Sequence, residues 1–190
     1  LAAIAPHVHP LAPVERPLAA ALGLVLGEDI TSDIDSPPYD KAMMDGFAIV
    51  ADDATTERTS IGEIMAGDAP AGEVTHGTAI RIMTGAPIPA GATAVIPVEQ
   101  TELTAANTVR LLNTIAPGKH IMTRASAMRV GQTVLRAGSR ITPSAIALLA
   151  EVGAAVVKVI PPPRVAVLAT GNELVPCDVL PTGAQIRNTN

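Results

Sequence analysis

The chain has 190 residues, of which 48% are hydrophobic and 16% charged, enough apolar material to bury the core of one or two compact domains. With one Phe, one Tyr, no Trp and a net charge of -5, it offers neither an aromatic platform for bases nor a basic footprint for a phosphate backbone, so nucleic acid is not an expected partner. A single cysteine, Cys177, rules out an internal disulfide and fits a reducing compartment. The opening Leu1 to Ala5 lacks the charged flank and length of a signal peptide, and apolar runs elsewhere are broken by Gly and Pro, so the expectation is a cytoplasmic protein with no membrane span.

In chain order, residues 14–26 place Leu18, Leu22 and Leu26 at helical spacing, with Val25 beside them and Pro17 in a first-turn position, which predicts an amphipathic helix ending near Gly27. Asp29 to Ser32 then reads as an extended segment leading to the Pro37-Pro38 turn. From about residue 41 to 137, Gly and Pro recur among β-branched runs such as 93–98 and 108–111, the pattern of a β-rich module. A second helix is predicted over 144–151, because Thr142-Pro143 supplies a cap and a first-turn proline and Gly153 supplies the stop.

The helical stretches flank the β-rich module in sequence, so the simplest topology is one domain inserted into another. Pro161-Pro162-Pro163 reads as a stiff spacer. Residues 164–174 read as a buried strand running into a Gly-containing loop, the usual opening of an α/β layer. One strand and one loop cannot cover both faces of a sheet, so this unit is expected to belong to a larger domain.

Three places combine groups that can do chemistry. Asp45, between Met44 and Gly46, is a carboxylate on a tight turn; it can bind a metal or orient a water, or it can simply bond its own backbone. Thr84-Gly85-Ala86-Pro87 follows the strand-like 79–83 and offers a hydroxyl, approachable N–H groups and the nearby Arg81, either an anion cradle or an ordinary strand exit. Thr170-Gly171-Asn172-Glu173 puts a hydroxyl and a carboxylate at a strand end, where they can meet phosphate or a hard cation, but the same spacing is that of a capping box. Glu99 can join a metal site or face water. The four histidines show no metal-ligand grouping.

Taken together, Met44-Asp45-Gly46-Phe47-Ala48, Arg81-Ile82-Met83-Thr84-Gly85-Ala86-Pro87, Thr170-Gly171-Asn172-Glu173-Leu174 and the segment from Gly183 to Asn190 resemble, in order, the amino-terminal part of the molybdopterin molybdotransferases, the MoeA and gephyrin E-domain family. The resemblance implies molybdenum cofactor biosynthesis: insertion of molybdate into adenylylated molybdopterin with release of AMP, helped by Mg2+. It implies Asp45, Thr84 and Glu173 as catalytic residues and Asp45 and Glu173 as metal ligands. Thr84, Gly85, Arg124, Thr170 and Gly171 would bind the cofactor. It also implies a homodimer, with the molybdopterin adenylyltransferase as a further partner.

The fold implied is α+β and multidomain. Residues 1–40 with 138–162 would form a discontinuous helix-containing domain, 41–137 an inserted β-rich, barrel-like domain, and 163–190 the start of an α/β molybdopterin-binding domain. The sequence departs from the family where Ala127 stands in place of a functional aspartate, with the usual acidic pair missing around Ser126-Ala127. That departure raises a non-catalytic, molybdopterin-binding scaffold as the alternative function.

Overall fold

The computed structural model describes residues 9, 11–69 and 72–189; Leu1 to Ala5, His7 and Asn190, on which expectations above partly rest, lie outside them. The described chain opens with the short strands β1 (Val14–Pro17), β2 (Val25–Leu26) and β3 (Ile30–Thr31). It continues as β4 (Lys41–Ala42), β5 (Gly46–Ile49), β6 (Glu57–Ile64), β7 (Thr78–Ile82), β8 (Ala94–Pro97), β9 (Thr101–Ala105), β10 (Thr108–Leu111), β11 (Ile121–Met122) and β12 (Thr133–Leu135). The helix α1 (Pro143–Glu151) is followed by β13 (Val156–Ile160), β14 (Leu174–Val175) and β15 (Ile186–Arg187). Among the described residues α1 is the one α-helix, so the fold is mostly β.

The helix expected over 14–26 does not form. Residues 14–17 instead pair antiparallel with β13, Val14 opposite Val159 and Pro17 opposite Val156, and β2 pairs with the other edge of β13. Between them Leu18–Ala20 makes a single 3-10 turn, and Gly23 reverses the chain at φ 81° while donating its N–H to the Ile141 carbonyl. A helix would put Leu18, Leu22 and Leu26 on one face. Here Leu26 is buried and Leu22 is 57% exposed. Long-range strand pairing satisfies the backbone and overrides a weak local periodicity.

The helix α1 forms as its cap chemistry dictates. Thr142 has extended backbone and its Oγ1 accepts from the Ala145 N–H at 3.2 Å, Pro143 takes the first turn, and Gly153 leaves the helix at φ 73°. Its buried Ala145 and Leu149 join Leu26, Ile30, Ile141 and Val159 in one core that draws on residues 21–30 and 128–159.

A six-stranded sheet in the order β8-β5-β7-β6-β10-β9 forms the middle of the molecule. Its neighbours are antiparallel except β6 and β7, which run parallel. Strand alternation loads both faces: Ala48, Val50, Ile80, Ile82 and Val95 fill one core, and Phe47, Ile49, Ala79, Ile96 and Val109 the other. The sheet is open, with β8 and β9 as its edges, rather than a closed barrel.

The buried strand expected over 164–174 is likewise absent. Val165, Val167 and Leu168 are 77%, 69% and 88% exposed, and only Leu174 and Val175 pair, in parallel with β15. An apolar run becomes a central strand only when neighbouring strands and covering layers satisfy it on both sides. Among the described residues nothing of that kind flanks it, and no α/β layer is built.

Candidate functional site

The site begins where β4 leaves the surface and β5 enters the sheet. Gly46 is required at that entry, because a Cβ there would lie 1.9 Å from the Ile96 carbonyl oxygen of β8. The close approach fixes the turn before it: Asp45 accepts the Val98 N–H on its carbonyl at 3.0 Å and holds its side chain outward. Met43 and Met44 beside it are exposed.

The loop after β7 is brought to Asp45 by backbone bonds to β4. Gly85 N–H donates to the Ala42 carbonyl at 2.8 Å, and Ala42 N–H donates to the Ala86 carbonyl at 2.9 Å. Gly85 makes the turn at φ 86°, a conformation L side chains rarely take. Thr84 is then positioned so that its N–H and its hydroxyl both donate to Asp45 Oδ1, at 2.7 and 2.6 Å.

These bonds hold the Asp45 carboxyl below the usual carboxylate range. The Thr84 hydroxyl contributes most, then the Thr84 N–H, with the Arg81 guanidinium adding a smaller push and partial burial opposing all three. Arg81 lies on β7 opposite Phe47 of β5 and Glu63 of β6, and its Nε is 3.2 Å from Glu63 Oε1.

The structure thus joins Asp45 and Thr84, two residues 39 positions apart. It also spends the donors that made 84–87 look like an anion cradle: Thr84 N–H and hydroxyl on Asp45, Gly85 N–H on Ala42, and Ala86 N–H on Met83. What faces outward is an ionised carboxylate with Oδ2 unspent, beside one guanidinium.

Arg124 is held elsewhere. β11 pairs antiparallel with β4, Met122 opposite Lys41, which carries residue 124 towards Asp40 and away from Asp45. There its N–H donates to Asp40 Oδ1 at 2.7 Å and its guanidinium meets Asp35 Oδ2 at 2.6 Å. Asp35 also accepts from Val130 N–H, and that bond first, then Arg124, holds its carboxyl below the usual carboxylate range. Thr170, Gly171 and Glu173 form a separate exposed turn. No helix follows Glu173, so the capping-box reading fails, and Gly171, at φ 146°, leaves room for the Glu173 carboxylate to fold back over it. No hydrogen bond or ion pair joins that turn to Asp45 or Thr84. Glu99 stands exposed in a 3-10 turn.

Two features had no local sequence signal. Glu63 reaches Arg81 because of a bulge in β6, and Arg58, 1% exposed, forms a buried pair with Asp53 at 3.2 Å. Asp53 also accepts from Thr55 and Gly77 N–H groups and is driven far below the usual carboxylate range, by the Thr55 bond first.

An open mixed sheet that closes a Met-Asp-Gly turn onto a Thr-Gly-Ala-Pro loop defines a known class: the chain belongs to the family described as the MoeA N-terminal region (domain I and II), whose model matches residues 1–153. It is 40% identical over 169 residues to molybdopterin molybdenumtransferase 2 of Mycobacterium tuberculosis, covering 85% of this chain and 42% of that protein. It is 42% identical over 182 residues to molybdopterin molybdenumtransferase of Staphylococcus aureus, covering 91% and 43%. Among solved structures, the molybdopterin biosynthesis moeA protein of Pyrococcus horikoshii OT3 matches with a TM-score of 0.81 and 37% identity, over 86% of this chain and 45% of that one. The chain therefore spans somewhat under half the length of the relatives it matches.

Proposed function

We propose that this chain serves molybdenum cofactor biosynthesis as part of a molybdopterin molybdotransferase, acting on adenylylated molybdopterin and molybdate with release of AMP. The observation that carries the reading is the double bond of Thr84 onto Asp45. It produces a charged, oriented acceptor at the surface of a chain that is 40% and 42% identical to relatives named for this activity.

In this reading Asp45 is the reactive carboxylate. With Oδ1 saturated by Thr84, Oδ2 is the atom free to accept a proton or a hydrogen bond from a water at the scissile phosphate. Thr84 positions that carboxylate, and its hydroxyl oxygen keeps lone pairs for a second donor. Arg81 supplies the nearby positive charge.

Mg2+ takes about six oxygens, most of them from water and substrate phosphates, so one or two carboxylates would hold it; Asp45 Oδ2 would be one such oxygen, and among the described residues no three His, Cys, Asp or Glu side chains gather. No step is routed through it; Glu173, the second ligand implied by the resemblance, belongs to a separate turn. Gly85, Arg124, Thr170 and Gly171 belong to the same proposal as cofactor contacts, with Arg124 first having to leave Asp35. A homodimer and the molybdopterin adenylyltransferase are the partners it entails. On this reading the chain divides into 1–40 with 138–162, 41–137 and 163–190; the core shared by residues 21–30 and 128–159 supports a discontinuous first unit, whose second part begins nearer 128 than 138. The proposal places this work in the cytoplasm; among the described residues no helix is long and apolar enough to cross a membrane.

The test is complementation. Carried in its natural reading frame, the gene should restore molybdoenzyme activity to cells lacking molybdate insertion, and Asp45→Asn should not. Failure of the wild-type gene at every molybdate concentration would remove the reading.

A further inference from the structure

On the Phe47 face of the sheet, beside Asp45, lies a cavity of about 470 Å³ that the reading above does not use. Phe47, the chain's single phenylalanine and 3% exposed, lines it together with Leu103, and four polar side chains join them: Ser60, Glu63, Arg81 and Asn107.

The cavity owes its polar wall to the bulge in β6. Ser60 pairs with Ala79 of β7, yet Glu63 pairs with Arg81, so β6 advances three residues where β7 advances two. Without the extra residue Glu63 would stand opposite Ile82 and point to the other face. The bulge re-aims its carboxylate to the face of Phe47 and Arg81. Asp45 lies two residues before Phe47, in the turn that enters β5, and its carboxylate feels the charge of Arg81.

Much of the hydrogen-bonding capacity here is unspent. Among the described residues Glu63 shares its carboxylate only with Arg81, at 3.2 Å with both side chains nearly half exposed, and an exposed pair of this kind opens readily. Among the described residues the Ser60 hydroxyl and the Asn107 side-chain amide have no partner.

We infer that this cavity binds the bicyclic ring of the pterin, the amide and amine edge of the heterocycle meeting Glu63 and its carbonyl meeting Arg81 or Asn107. The inference rests on the molybdopterin reading and deepens it. A carboxylate accepts from two adjacent N–H groups of a 2-amino-4-oxo ring, and a neighbouring donor meets the 4-oxo group. Leu103 and Ile61, both exposed, give the ring an apolar bed above the buried Phe47. Arg81 then sits between the ring and Asp45, so the side chain of the ligand would run past it towards the Asp45 and Thr84 pair.

The experiment titrates the chain with free pterin and with lumazine, which carries an oxygen in place of the exocyclic amine, following amide and arginine Nε–H shifts by NMR. Saturable pterin binding with shifts at Phe47 and Arg81, roughly tenfold or more weaker for lumazine and for Glu63→Gln, and a smaller loss in Asn107→Ala, is expected. Because Glu63 is exposed, the spectrum of the variant should report an intact fold. Absence of saturable binding, equal affinity for lumazine, or equal affinity in Glu63→Gln overturns the inference. If Asp45→Asn abolishes molybdate insertion while pterin ignores this cavity, the proposed function stands and only the inference falls.

Discussion

Thr84 spends both of its hydrogens on a single oxygen of Asp45, the N–H at 2.7 Å and the hydroxyl at 2.6 Å, and so leaves the second carboxylate oxygen as the free one. A short O–H···O⁻ bond of this length is charge-assisted, which fixes both the rotamer and the ionisation of the aspartate. The residue that orients and the residue that acts are therefore separable by substitution.

Asp45→Asn removes the charge and should lower turnover about 10²-fold or more, as expected when an acid–base group is lost. Thr84→Ser keeps both donors and should stay within a few-fold of wild type. Thr84→Val keeps only the N–H and should fall about tenfold, in kcat more than in KM if Thr84 acts through Asp45. Steady-state AMP release on the three variants separates these outcomes.

Gly46→Ala should be among the most damaging small changes in the chain. Its Cβ would meet the Ile96 carbonyl oxygen at 1.9 Å and carbon at 2.8 Å, both backbone atoms of β8 that cannot rotate away. Such overpacking costs about 1–3 kcal/mol and here has no flexible side chain to absorb it. A urea melt should show the loss, and the spectrum of the Asp45 turn should move with it.

Acid should destabilise the fold through carboxylates that are depressed in the native state. Asp53, through its bonds from Thr55 and Gly77 and the neighbouring Arg58, and Asp35, through Val130 and Arg124, both lie below the ordinary value of 3.8. A depressed carboxyl contributes stability that is present above its unfolded value and is lost as pH falls through its native one. Urea midpoints should thus be flat in this respect above about pH 5 and fall steadily below about pH 4. Asp53→Asn should show a shallower acid slope, and an unchanged slope would contradict the assignment.

Thr142→Ala should cost about 1 kcal/mol, the usual value of an N-cap side chain, because its Oγ1 is the acceptor for Ala145 N–H. Ile80→Ala, in a fully buried position of the sheet, should cost about 2–5 kcal/mol. Thermal melts of the pair test whether the sheet rather than the helix carries the stability.

The features that the sequence announced were those written in neighbouring residues. The helix α1 is specified within twelve positions by Thr142, Pro143 and Gly153, and its ends fall within a residue of expectation. The strands over 94–97 and 108–111 also sit where β-branched runs place them. By contrast, residues 14–26 carry a helical spacing that means little against pairing with β13, some 140 residues away, and no local pattern encodes that partner. The run 164–174 has the composition of a central strand but lacks the neighbours that would make it one.

The site divides in the same way. Asp45 and Thr84 were each visible on their own motif, since Gly46 and Gly85 mark the turns. Their contact was not visible, because it depends on Ala42 clasping the loop 85–86. The same bonds consume the N–H groups that read as an anion cradle. Glu63 became relevant only through a bulge, and Arg58 only through burial beside Asp53.

The most direct measurement is single-turnover release of AMP from adenylylated molybdopterin in the presence of molybdate, comparing the protein in its natural reading frame with its Asp45→Asn variant. Molybdate-dependent release by the wild type and a loss of about 10²-fold or more in the variant are predicted. Equal release by both, with or without molybdate, would contradict the assignment of Asp45 as the reactive carboxylate.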